Sequence, residues 1–86
     1  MAVIEKKIWP DFFEKILRGE KNAEIRLADF DLKSGDILIL NEWDPIRQRF
    51  TGRTLNKVVK NLTKVNLTAF WDTEKIKKNG VYLIEF

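Results

Sequence analysis

The spacing of apolar residues changes period along this chain, and the changes mark out one helix and several strands. Val3–Ile8 mixes apolar and charged residues as a short first strand does. Trp9-Pro10 ends it, because the residue before a proline is pushed into extended backbone. From there Trp9, Phe12, Phe13, Ile16 and Leu17 recur at helical spacing, which predicts a helix with one apolar face. Pro10 suits its first position, and Asp11 and Glu14 suit its positive end. Gly19 is placed to stop it.

Beyond the helix the period falls to two. Ala23, Ile25 and Leu27 alternate with Glu24 and Arg26, which predicts a strand with one buried face. Leu32–Asp36 contains a turn in which Asp36 serves the backbone. Ile37–Leu40 is a continuous apolar run, as in a strand covered on both faces. Asp44-Pro45 opens a turn and Arg47–Arg53 returns from it, so a hairpin is expected. Leu55–Val65 fits a helical face through Leu55, Val58, Val59 and Leu62. The Val58-Val59 pair and the threonines favour a strand, and it is read as one. Leu67–Lys78 has room for a short second helix or two turns. Gly80 breaks the chain before a closing strand, Val81–Phe86.

These elements predict a single α+β domain over residues 1–86, with five to six strands, one main helix and a possible short second one. Short strands in so small a chain favour a closed or nearly closed β-barrel, which leaves few exposed edges. A domain of this length buries about 60–65% of its unfolded surface, so its large apolar residues are needed for the core.

Composition narrows the chemistry. The sequence has no cysteine and no histidine, which excludes disulfides, zinc–thiolate sites and Ser-His or Cys-His mechanisms. Any catalysis must run on Lys, Asp, Glu, Tyr82 or hydroxyl groups. No metal and no cofactor are expected. No run approaches the ~18 apolar residues of a membrane helix. The first apolar stretch carries charges and lacks a signal-peptide core, so no membrane partner and a cytoplasmic location are expected. Oligomeric state is left open.

The net charge of +3 is unevenly spread. Residues 1–45 hold seven Lys/Arg and ten Asp/Glu, a balance of −3. Residues 46–86 hold nine and three, a balance of +6. Between Arg47 and Lys64 there are six basic residues and no acidic one. Such a stretch is either a phosphate-facing surface or a solubilising face.

The candidate chemistry sits where the helix hands over to the next strand. Gly19-Glu20-Lys21-Asn22-Ala23-Glu24-Ile25-Arg26 reads G-x-K-x-x-E-x-R. Glu24 and Arg26 share strand parity and point to one face, and Lys21 lies just before the strand starts. Arg is suited to bidentate phosphate or base-edge contacts. A desolvated Lys with a lowered pKa can act as base or nucleophile. Glu24 can position water, accept from an exocyclic amine, or only hold Lys21 and Arg26 in place. The plain alternative is a surface charge cluster worth ~0–1 kcal/mol per pair.

This motif resembles that of the ASCH domain, a branch of the PUA-like superfamily. The helix IWPDFFEKIL, the segment KSGDILIL, the turn EWDP and the return FTGR resemble a small bacterial and phage-type branch of it, in the same order over roughly Ile4–Val59, with the closing VYLIEF strand also in place. The resemblance implies a PUA-like β-barrel with a helix beside a cleft, and a role with RNA or a nucleotide. Some small relatives are amidohydrolases on acetylated cytidine and others are described as ribonucleases. The amidohydrolases carry a threonine where this chain has Glu24, and Glu42 or Glu74 could supply the further carboxylate such chemistry needs.

The expected ligand-binding residues are Lys21, Glu24, Arg26, Trp43 and Arg53, with Lys21 and Glu24 as the catalytic pair of a hydrolase. Trp43 lies between a strand and a turn, at the rim of the cleft. Gly52 permits close backbone approach and Arg53 is placed to contact phosphate; the alternative is a turn glycine beside a solvated arginine. Trp9, on the apolar helix face, is expected in the core, and Trp71 has no assigned place. Three function classes follow: an RNA- or nucleotide-binding module, a small hydrolase, and a protein-interaction adaptor.

Overall fold

A computed structural model describes residues 1–65 and 79–86. In chain order its elements are β1 (Val3–Ile8), α1 (Pro10–Leu17), β2 (Ala23–Leu27), β3 (Ile37–Asp44), β4 (Arg49–Val58), β5 (Asn61–Val65) and β6 (Val81–Glu85). The six strands form two three-stranded sheets, ordered β1-β3-β4 and β2-β6-β5. The expected α+β class, the main helix and the number of strands are therefore present. The expected short second helix over Leu67–Lys78, with Trp71 and Glu74, lies outside the described residues.

In the first sheet β1 runs parallel to β3, with Val3 opposite Ile37 and Ile8 opposite Glu42. β3 pairs antiparallel with β4, and the register shifts between Asn41 and Trp43. β3 is thus twice as long as the apolar run Ile37–Leu40 suggests. Its second half alternates buried Glu42 with half-buried Asn41 and Trp43, a polar pattern that hides a strand. The expected single strand over Leu55–Val65 is two. The chain leaves the first sheet after Val58 and enters the second at Asn61. Val59 N–H donates to Asp36 O at 2.8 Å, and Lys60 N–H donates to Glu85 O at 2.8 Å, so consecutive residues bond to different sheets.

The core lies between the sheets and under α1. Phe13 and Ile16 of α1 pack with Ile8, Leu38, Leu40, Val59 and Ile84, all nearly inaccessible to water. Asp36 does serve the turn before β3. Its carboxylate accepts from Ala2 N–H at 2.9 Å and Lys33 N–H at 2.9 Å. The Ala2 bond is the main reason its pKa falls below the usual carboxylate value.

Two features of the helix position the site. Its N-cap is Trp9 in extended backbone, followed by Pro10. A cap residue stands outside the helix, so Trp9 does not share the packing of Phe13 and Ile16. It is 57% exposed, not a core residue as the spacing suggests. At the other end Gly19 takes φ +77°, with Gly19 N–H bonded to Ile16 O and Glu20 N–H to Lys15 O. This is a Schellman ending. Lys21 N–H also bonds to Lys15 O at 3.1 Å, which fixes the residue that opens the site.

Candidate functional site

β2 begins two residues after Lys21, and its register decides where the charges go. Glu24 pairs with Ile84 and Arg26 with Tyr82, both buried residues of β6. The charged side of β2 therefore faces inward, while Ile25 is 72% exposed. This reverses the expectation that the apolar side of an alternating strand is the buried one. The physical reason is compensation: a carboxylate can be buried when cations and hydrogen bonds replace its water.

Glu24 is 6% exposed and is compensated twice. Lys21 Nζ donates to its Oε1 at 2.5 Å, and Arg26 Nε donates to its Oε2 at 2.9 Å. A further Arg26 nitrogen, Nη2, donates to the carbonyl of Lys7 and links the edge of β2 to the edge of β1. Lys21 Nζ also lies 4.8 Å from the Phe12 ring centroid. Among the described residues, these contacts use two of the five N–H donors of Arg26.

These side chains line one cavity of roughly 830 Å³, bounded by the start of α1, by β2 and by the ends of β1 and β3. Ligand pockets usually measure about 300–1,000 Å³. Its charged lining is Lys7, Lys21, Arg26 and Glu24, three cations against one carboxylate. Its aromatic lining is Trp9, Phe12 and Trp43. Lys7 Nζ sits 4.0 Å from the Trp43 ring centroid. Lys21, Glu24, Arg26 and Trp43 are thus brought together as the sequence suggests. Trp9, Phe12 and Lys7 join them unforeseen. Proline after Trp9 is the signal that sets that tryptophan outside the helical face.

Arg53 stands elsewhere. Its Nε and Nη2 donate to Glu42 at 2.9 and 2.7 Å, and Nη2 also reaches Glu14 of α1 at 2.6 Å. Its guanidinium lies 4.6 Å from the Phe13 ring centroid. Thr51 Oγ1 donates to Glu42 at 2.5 Å. Arg53 is the main cause holding the Glu42 pKa below the ordinary glutamate value, with Thr51 adding to it against the effect of burial. The two acids in turn raise the Arg53 pKa. Arg53 and Glu42 form a tie between helix and sheet outside the cavity lining, not part of the cleft where Arg53 is expected. The basic stretch Arg47–Lys64 is spread over the hairpin, β4 and β5 rather than gathered at the cavity.

Among the described residues, no helix is long and apolar enough to cross a membrane, and no three acidic side chains gather as a metal site would require.

A small two-sheet domain with a lined pocket at its first helix–strand junction is the class these features define. The chain belongs to the family described as "Domain of unknown function (DUF3850)", whose model matches residues 3–73. It is similar to an "Uncharacterized 12.9 kDa protein in GpA 3'region" of Escherichia phage P2, with 36% identity over 62 residues. That match covers 72% of this chain and 55% of the phage protein, so the chain spans little more than half of that relative. A solved structure titled "Crystal structure of hypothetical protein PH0355" is similar at a TM-score of 0.71 and 25% identity. That likeness covers 99% of this chain and 96% of the other. None of these descriptions states a ligand or an activity.

Proposed function

We propose that this domain binds RNA or a nucleotide, as an ASCH-like module, in the cavity at the α1–β2 junction. The carrying observation is that one cavity joins three cations and a doubly paired carboxylate with three aromatic side chains. A nucleotide presents the complementary parts: a phosphate for the cations, a base face for the rings and a donor edge for a carboxylate. Glu24 holds Lys21 and Arg26 in place before any guest arrives, which reduces the ordering cost of binding. The same reading treats the two sheets as halves of a PUA-like barrel, bridged at one seam by the Arg26–Lys7 bond.

Titration with a short single-stranded RNA at several salt concentrations tests this. Affinity should fall with salt, with a log–log slope of about −0.7 per phosphate engaged. Binding that is flat in salt, or unchanged in the Lys21→Ala, Arg26→Ala double variant, overturns it.

A second reading, a metal-independent hydrolase on a modified nucleoside or RNA, is favoured by one contact. Lys21 Nζ donates to the buried Glu24 carboxylate, which sets an amine and a carboxylate side by side in the cavity. Its test is turnover of acetylated cytidine or RNA by the purified protein, with Lys21→Ala as the control. Turnover that survives in the variant rules out this pair as its source.

A further inference from the structure

We propose that the guest is a single-stranded chain of at least two nucleotides, and that Phe50 is the platform for the second base. This deepens the nucleotide-binding reading and rests on it. Phe50 lies in β4, outside the cavity lining, with 51% of its surface exposed. Its register partner is Trp43, and the two rings meet edge to face with centroids 4.9 Å apart. Trp43 also lines the cavity, so one indole belongs to both surfaces. A base leaving the cavity past Trp43 comes next to Phe50, which is half exposed.

The charges follow the same path. Lys7 Nζ lies 4.0 Å from the Trp43 ring centroid and 5.8 Å from that of Phe50. It therefore stands to one side of the touching rings and nearer Trp43, within reach of a phosphate that links bases stacked on the two. Arg47 and Arg49, both exposed, flank this hairpin end. A half-buried and an exposed aromatic ring with a cation beside them suit a flexible strand whose bases are splayed, because every base offers a π-face and every linkage a negative charge. An acidic peptide would use the cations but leave the rings without partners. A mononucleotide would leave Phe50 unused.

The test compares nucleoside 5′-monophosphates with single-stranded RNA hexamers. The wild-type protein should bind hexamers more tightly than monophosphates. Phe50→Ala should weaken hexamer binding on the order of 10-fold, the effect of losing one base–ring stack. It should weaken monophosphate binding far less, and Phe50→Trp should restore the hexamer affinity. Trp9→Ala reports on the cavity itself and should weaken both ligands. If Trp9→Ala weakens both while Phe50→Ala changes neither, the second platform is wrong and the cavity reading survives. If the wild-type protein binds neither ligand, both are wrong.

Discussion

Arg53 holds the buried carboxylate of Glu42 by two donors, Nε at 2.9 Å from Oε1 and Nη2 at 2.7 Å from Oε2. The pair joins neighbouring strands of the first sheet, and through Glu14 it also joins α1. This tie holds the helix whose first turn lines the cavity. Its pH dependence has a definite sign. The folded-state pKa of Glu42 lies below its ordinary value of 4.5, chiefly because of Arg53. The stabilisation is therefore complete above about pH 4.5 and is lost as the pH falls below that value through the lowered folded-state pKa. Thermal unfolding followed by circular dichroism should show Tm falling over that acid range. Glu42→Gln should lower Tm at neutral pH and make the acid fall shallower; an equally steep fall in the variant contradicts this assignment.

Removing Arg53 should cost more than removing an arginine of a surface pair. Arg53→Ala leaves Glu42 buried without its main partner, so its unfolding midpoint in urea should drop clearly. Arg18→Ala only breaks a pair with Glu20 in which both side chains are more than half exposed. It should change stability by no more than about 0.5 kcal/mol.

Trp9 and Phe13 lie four residues apart on one predicted face, yet they should behave oppositely. Phe13 is almost fully buried, and Phe13→Ala should destabilise the fold by about 3–5 kcal/mol. Trp9 is more than half exposed, and Trp9→Ala should alter stability by about 0.5 kcal/mol or less while weakening nucleotide binding. Denaturant unfolding and ligand titration of the two variants separate the effects. A large loss of stability in Trp9→Ala would return that residue to the core.

Salt dependence should count the cations that meet phosphate. If Lys21 and Arg26 each neutralise one phosphate, Lys21→Ala and Arg26→Ala should each make the salt slope shallower by about 0.7. Arg53→Ala should leave the slope unchanged, because its guanidinium lies outside the cavity lining. A slope change confined to Arg53→Ala would move the phosphate path to β4.

Much of this fold is legible in the amino-acid pattern. β1 and β2 have their expected limits, and the helix starts at Pro10 and ends just before Gly19. The second half of β3 is not legible, because Asn41-Glu42-Trp43 breaks the apolar run while backbone pairing continues. The change of sheet at Val59-Lys60 is also hidden. Both residues suit a strand, and only long-range bonds to Asp36 and Glu85 separate β4 from β5. Three residues of the candidate site are legible from G-x-K-x-x-E-x-R. The face they occupy is not, because alternation shows which residues share a side but not which side is buried. Glu24 is buried through pairing with Lys21 and Arg26, which outweighs the hydrophobic preference of its neighbour Ile25. Lys7 and Phe50 meet Trp43 through contacts that no local pattern encodes.

Heteronuclear NMR titration of the labelled protein with a short single-stranded RNA tests the pocket assignment most directly. Binding at the α1–β2 junction predicts the largest shift changes at Lys21, Glu24 and Arg26 and at the indole N–H signals of Trp9 and Trp43. Changes confined to other surfaces, with these signals unmoved, would contradict it.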